Sequence, residues 1–287
     1  MARRHIGVEE LFEIINLGAW NIKILPVVEG IYNDLFVYAK EKGPVDVLSD
    51  YVITVRSLTT IDPPLSFEGE LIYYSKESEL EVYDEPQDRM IIEQLREGAH
   101  LSPKTARFFF LPSVHRLCVE VKSKRTSIPE RAIQNYLTKI LKEYMEHRGI
   151  AHDHTSQVCT VTKRDAIAQI LSRNDITYIR ASISYTNDDQ TEDYAHLLEN
   201  QGRESAASSL QIIANSESDA HLQPRGTILE GAVRLAEQNG EAIVKCKSPM
   251  GEIKVFNTKK YPLQREFKDS SEVNRRDIFE WIRSKFQ

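Results

Sequence analysis

Glu120-Val-Lys122 is the arrangement in this chain best suited to chemistry. Residues two apart on an extended strand share a face, so a carboxylate and an ammonium stand side by side here. Such a pair can hold a divalent cation and orient a water molecule, provided an earlier strand supplies a further acid. Glu70, Asp84 or Glu68 could supply it. The chemistry would then be metal-assisted phosphodiester cleavage with magnesium as cofactor. The same tripeptide is also what a solvated ion-pair stripe on a strand looks like.

Two further constellations carry charge. Arg116, Lys122, Lys124 and Arg125 accompany one expected hairpin, and Lys245, Lys247, Lys254, Lys259, Lys260 and Arg265 surround another. Lys245 and Lys247 share a strand face, and Lys254 is expected opposite them across the Gly251 turn. If the two hairpins are neighbours, these residues form one surface that tracks phosphates. Lysines at exposed strand edges also serve simply to prevent edge-to-edge aggregation. His152 and His154 have the spacing of a zinc-binding pair, with His147 and Asp153 nearby, but no second ligand pair accompanies them. The segment reads equally as a connecting loop, and no resident metal or other cofactor is expected outside the nuclease alternative. The chain contains no Gly-x-x-x-x-Gly-Lys, Gly-x-Gly-x-x-Gly, His-Glu-x-x-His or Gly-x-Ser-x-Gly, which removes several common enzyme classes.

The elements that must position these groups centre on Ala106–Lys124, read as two strands joined at Pro112-Ser113. Phe108, Phe109 and Phe110 suit a strand covered on both faces. The second strand alternates Leu117, Val119 and Val121 against Arg116, Cys118, Glu120 and Lys122. Ser127-Ile-Pro-Glu130 reads as a capping box opening a helix with an apolar stripe from Ile133 to Tyr144. Further helices are expected over residues 8–17, 32–39, from 162, over 227–238 and from Ser271. Strands are expected over 20–25, 51–58, 67–75, 157–161 and 176–185, with a hairpin joining 241–247 to 252–257.

The fold class expected is α+β, with mixed, mostly antiparallel sheets, helices on one side and a β-rich N-terminal half. Four stretches suggest themselves: a β-rich region 1–105, a central β-β-α-β-α-β region 106–185, an acidic connector or excursion 186–224, and a C-terminal helix-hairpin-helix region 225–287. All four could form one compact unit.

With 287 residues, 41 % of them hydrophobic, the chain can bury a sizeable core. No apolar run approaches the roughly 18 residues that span a bilayer, and the N-terminus lacks a signal peptide's apolar centre, so a cytoplasmic protein is expected. Cys118, Cys159 and Cys246 are dispersed, as befits small buried hydrophobes. The net charge of −6 is unevenly distributed. Acidic residues dominate 68–88 and 186–221, whereas the hairpin-plus-helix region and the tail are basic, which permits a local anion surface or head-to-tail pairing of subunits.

Several short segments carry a resemblance: Trp20-Asn-Ile-Lys-Ile, Phe67-Glu-Gly-Glu-Leu, Phe108-Phe-Phe-Leu with His115-Arg-Leu-Cys-Val-Glu, and Asn239-Gly-Glu-Ala-Ile-Val-Lys-Cys-Lys followed by Lys259-Lys-Tyr-Pro-Leu-Gln. Together they resemble a bacterial family that bears a domain-of-unknown-function label and is often found near mobile elements. The layout is also similar to the RexA phage-exclusion proteins. The resemblance implies an accessory or sensor component of antiphage defence, homodimeric and touching DNA without sequence preference. The reading taken from the sequence is therefore a non-enzymatic nucleic-acid binder, with a magnesium-dependent nuclease as alternative. A further alternative is a protein-interaction subunit that meets a partner from the same defence locus through 186–224.

Overall fold

The computed structural model describes residues 13–25, 28–61, 65–122, 127–151, 155–161, 164–184, 193–205, 207, 209–217, 220–248, 250–260, 263–269, 280–281 and 284. In chain order the first elements are β1 (Glu13–Leu25), α1 (Ile31–Lys42), β2 (Val45–Leu48), β3 (Tyr51–Ile61), β4 (Ser66–Ser75), β5 (Glu79–Asp84), β6 (Arg89–Gln94), β7 (Lys104–Leu111) and β8 (Arg116–Lys122). There follow α2 (Glu130–His147), β9 (Thr155–Thr160), α3 (Arg164–Leu171), β10 (Ile176–Ser184), α4 (Asp193–Glu204) and β11 (Ser209–Asn215). The last are α5 (Ile228–Asn239), β12 (Gly240–Lys247), β13 (Ile253–Asn257) and β14 (Gln264–Asp269).

The class is α+β, as expected. An eight-stranded sheet has the order β14-β1-β8-β7-β4-β3-β2, with β9 also paired to β1. A four-stranded sheet has the order β11-β10-β12-β13, and β5 and β6 form a separate two-stranded ribbon. All the strand pairings among the described residues are antiparallel. Stretches 106–185 and 225–287 each contribute to both large sheets: β7, β8, β9 and β14 to one, β10, β12 and β13 to the other.

Helices α1 and α2 cover one face of the eight-stranded sheet. Phe36 of α1 lies between Phe67 and Phe108, 5.6 Å from each ring, and 4.9 Å from Phe110. Phe109 points the other way, into a second apolar layer of Leu17, Ala19, Leu111, Val114, Cys118, Val161, Leu263 and Trp281. The aromatic run is thus buried on both faces, as its uninterrupted hydrophobicity predicts. Helices α3, α4 and α5 form the other apolar layer, on one side of the four-stranded sheet.

Two expectations need correction. Residues 8–17 were expected to be helical, but β1 already runs from Glu13. It is buried on both faces, with Leu17 and Ala19 on one side and Trp20, Ile22 and Ile24 on the other, so the period-two signal of a half-buried strand is missing. Ser127 does not cap α2. Its backbone bridges to Lys122, and the helix starts after Pro129 with no side-chain cap. The acidic excursion contains α4 and β11, and β11 is the edge strand of the four-stranded sheet. Most of the helix expected from Ser271 lies outside the described residues, as do Leu11, Ile278, Phe279, Ile282 and Phe286.

Candidate functional site

On β8 the alternation holds: Leu117, Val119 and Val121 enter the core beneath the helices, and Arg116, Cys118 and Glu120 take the opposite face. That face is not open to solvent. On that side Cys118 packs in one apolar layer with Phe109, Leu111, Leu263 and Trp281, Arg116 is only 1 % exposed and Glu120 is buried. Arg116 therefore cannot meet a phosphate from solution, a correction to its expected role. Lys122, at the end of the strand, is exposed, and Lys124 and Arg125 lie outside the described residues.

The arrangement around Glu120 does not assemble the acids of a nuclease. Glu70 pairs in register with Arg107, and Arg107 Nε donates to Glu120 Oε2 at 3.4 Å. A guanidinium thus stands between the two carboxylates, where a shared cation would sit. Glu70 faces Arg56 at 3.8 Å, and Glu68 lies two residues along the same strand. Asp84 lies at the end of β5 in the separate ribbon, where its Oδ1 accepts from Gln87 N. No group of three or more His, Cys, Asp or Glu side chains suited to a metal ion occurs among the described residues, and His152 and His154 lie outside them.

The two hairpins lie in different sheets. What joins the sheets is a buried polar contact: Asn21 Nδ2 and Lys23 Nζ on β1 both donate to Asn239 Oδ1 at the C-terminus of α5. Within the eight-stranded sheet's own neighbourhood, Leu263 N, just before β14, donates to Val161 O, just after β9, at 2.6 Å.

The arrangement that does come together is the outward face of the four-stranded sheet. On β10, Ile179, Ala181 and Ile183 face the helices, so Tyr178, Arg180 and Ser182 face out. On β12, Ala242, Val244 and Cys246 face in, so Ile243, Lys245 and Lys247 face out. Register then places Tyr178 between Asn215 and Lys245, and Arg180 between Ile213 and Ile243. Lys245 in turn pairs with Val255, and Lys247 with Ile253. Lys245 Nζ sits 4.7 Å from the Tyr178 ring centroid, within reach of a cation–π attraction. Ile213, Ile253 and Val255 are large apolar side chains left exposed around these cations.

Lys254 does not belong to this face. It pairs with Cys246, one residue out of step with Lys245 and Lys247, and so projects on the helix side, where its Nζ lies 5.2 Å from the Phe256 ring. Lys259 is held at 3.7 Å by Glu241, whose other oxygen accepts from Asn257. Lys260 closes the short turn after β13, and Arg265 is a β14 residue paired with Leu17. The sequence reading missed Tyr178 and Arg180. Their signal was present in the alternation of Ile176-Thr-Tyr-Ile-Arg-Ala-Ser-Ile, which puts both on the polar side.

A family model described as Domain of unknown function (DUF4747) matches residues 13–283. No curated protein matches the chain. No helix among the described residues is long and apolar enough to cross a membrane.

Proposed function

We propose that this chain, which belongs to the DUF4747 family, binds single-stranded nucleic acid without sequence preference through the outward face of its four-stranded sheet. The observation that carries the reading is one sheet face on which Lys245 lies against the Tyr178 ring and register adds Arg180 and Lys247. Cations meet the phosphate backbone, and an aromatic ring flanked by aliphatic side chains offers a stacking platform for any base. The surface is a sheet face with no helix or ribbon to enter a duplex groove, which favours unpaired strands over double helix. The net charge of −6 makes this local grouping decisive, because the chain as a whole repels polyanions. The role is non-enzymatic. Its setting as an accessory or sensor component of antiphage defence is supported by the sequence resemblance alone.

Fluorescence anisotropy with labelled oligonucleotides tests the reading. Affinity for a single strand should exceed that for a duplex and should fall as salt rises. Lys245→Ala with Lys247→Ala should weaken binding to all sequences alike and flatten the log–log salt slope by about 1.4. Tyr178→Ala should cost about 1–3 kcal/mol. Absence of binding at low salt, or unchanged binding by these variants, would rule out this surface. Magnesium-dependent loss of the labelled strand, abolished by Glu120→Ala, would instead revive nuclease chemistry.

A further inference from the structure

The β5–β6 ribbon has no structural reason to exist within a single chain. Among the described residues it pairs with no other strand, and none of its residues belongs to the three apolar layers. An isolated two-stranded ribbon is marginally stable in water. This one nevertheless aligns Tyr83, Met90 and Ile92 on one face, through the pairs Tyr83↔Met90 and Glu81↔Ile92, and leaves them 56 %, 58 % and 62 % exposed. Three large apolar side chains on one ribbon face are what a docking arm presents.

The charge of the ribbon selects its occupant. Between Lys76 and Glu97 the chain carries eight acidic residues against three basic ones, and Glu79 and Glu81 share the face of Tyr83 and Ile92. Docking ribbon on ribbon would set acid against acid. The outward face of the four-stranded sheet offers the complement, with Ile213, Ile253 and Val255 exposed among Arg180, Lys245 and Lys247. We infer that the β5–β6 ribbon docks on the outward sheet face of a second copy of this chain. Reciprocal exchange of the two ribbons gives a closed, twofold dimer. In it the ribbon carboxylates occupy the cations that otherwise meet phosphate, so the dimer is the closed state and the free chain the binding-competent one. This regulatory half rests on the nucleic-acid reading, whereas the docking half does not.

Sedimentation velocity separates the two. The full chain should sediment as a dimer at micromolar concentration, and Tyr83→Ser/Met90→Ser/Ile92→Ser, which changes only exposed side chains, as a monomer. Two charge-reversed chains, Glu79→Lys/Glu81→Lys and Lys245→Glu/Lys247→Glu, should each be monomeric alone and should associate when mixed. That rescue is a result that simple misfolding could not produce. A monomeric parent chain, a triple variant that remains dimeric, or charge-reversed chains that ignore each other would overturn the docking. The triple variant should also bind a single-stranded oligonucleotide about tenfold more tightly than the dimeric parent. A monomeric variant that binds no oligonucleotide leaves the ribbon docking standing and removes the nucleic-acid reading. Equal binding by dimer and monomer removes the regulatory half alone.

Discussion

At the scale of single residues, close approach matters as much as charge. A Cβ placed on Gly69 would lie 2.2 Å from Ser57 O and 2.6 Å from the Phe108 ring, at the point where the β3–β4 register shifts. Neither the backbone oxygen nor the stacked ring can move far. Gly69→Ala should therefore destabilise the fold by about 2–4 kcal/mol, read from a lowered urea midpoint. The thiols are unreactive for a related reason. Burial pushes Cys118 up to about 12 and Cys159 up to about 11, from an ordinary 9.0. Neither should be modified by a thiol reagent at pH 8 until the chain is unfolded, which titration with and without denaturant will show. Arg116 illustrates what the sequence could not convey. Its alternation with Leu117 was legible, but its burial was not, because the apolar layer on its side of the sheet is completed by Leu263 and Trp281, more than a hundred residues away.

At the scale of elements, legibility followed periodicity and failed where packing set the register. The β7–β8 and β12–β13 hairpins, α1, α2 and α5 could be read because each has one wet and one dry side, or a clear turn. Residues 20–25 of β1 were also legible as a strand, but its first residues, from Glu13 to Leu17, were not, because the strand has two dry sides. Lys254 was assigned to the wrong face because the Met250-Gly251 turn fixes pairing to within one residue, and one residue inverts a strand's faces. The contact between α5 and β1 was equally invisible, since Asn21, Lys23 and Asn239 are unremarkable when read singly. Asn239→Ala removes the acceptor that both β1 donors share and should cost about 1–3 kcal/mol. Thermal denaturation should also become less cooperative, because this contact helps couple the two sheets.

At the scale of the whole molecule, the buried acids that stay protonated set a limit on alkaline stability. Besides the two thiols, burial raises Tyr32 and Tyr136 above their ordinary 10.0. The folded chain keeps protons that the unfolded chain has released. Unfolding therefore loses protons, and stability falls as pH rises. The contribution is complete below about pH 9 and declines through the interval from 9 to 12 set by Cys118. Urea midpoints should be flat from pH 7 to 8.5 and drop steeply above 9.5, and Cys118→Ala should make the decline shallower.

The pairing of β1 with β14 ties residues 13–18 to residues 264–269. During synthesis β1 emerges first and must wait for β8, then β9, then β14 before both its edges are covered. At about 5–20 residues per second the last of these arrives on the order of ten to fifty seconds later. Throughout that interval an apolar strand with open hydrogen-bonding groups is available to any other nascent chain. The yield of native protein should thus be decided by what shields β1 on the ribosome, and slowing translation just before β14 should lower soluble yield more than slowing it just afterwards.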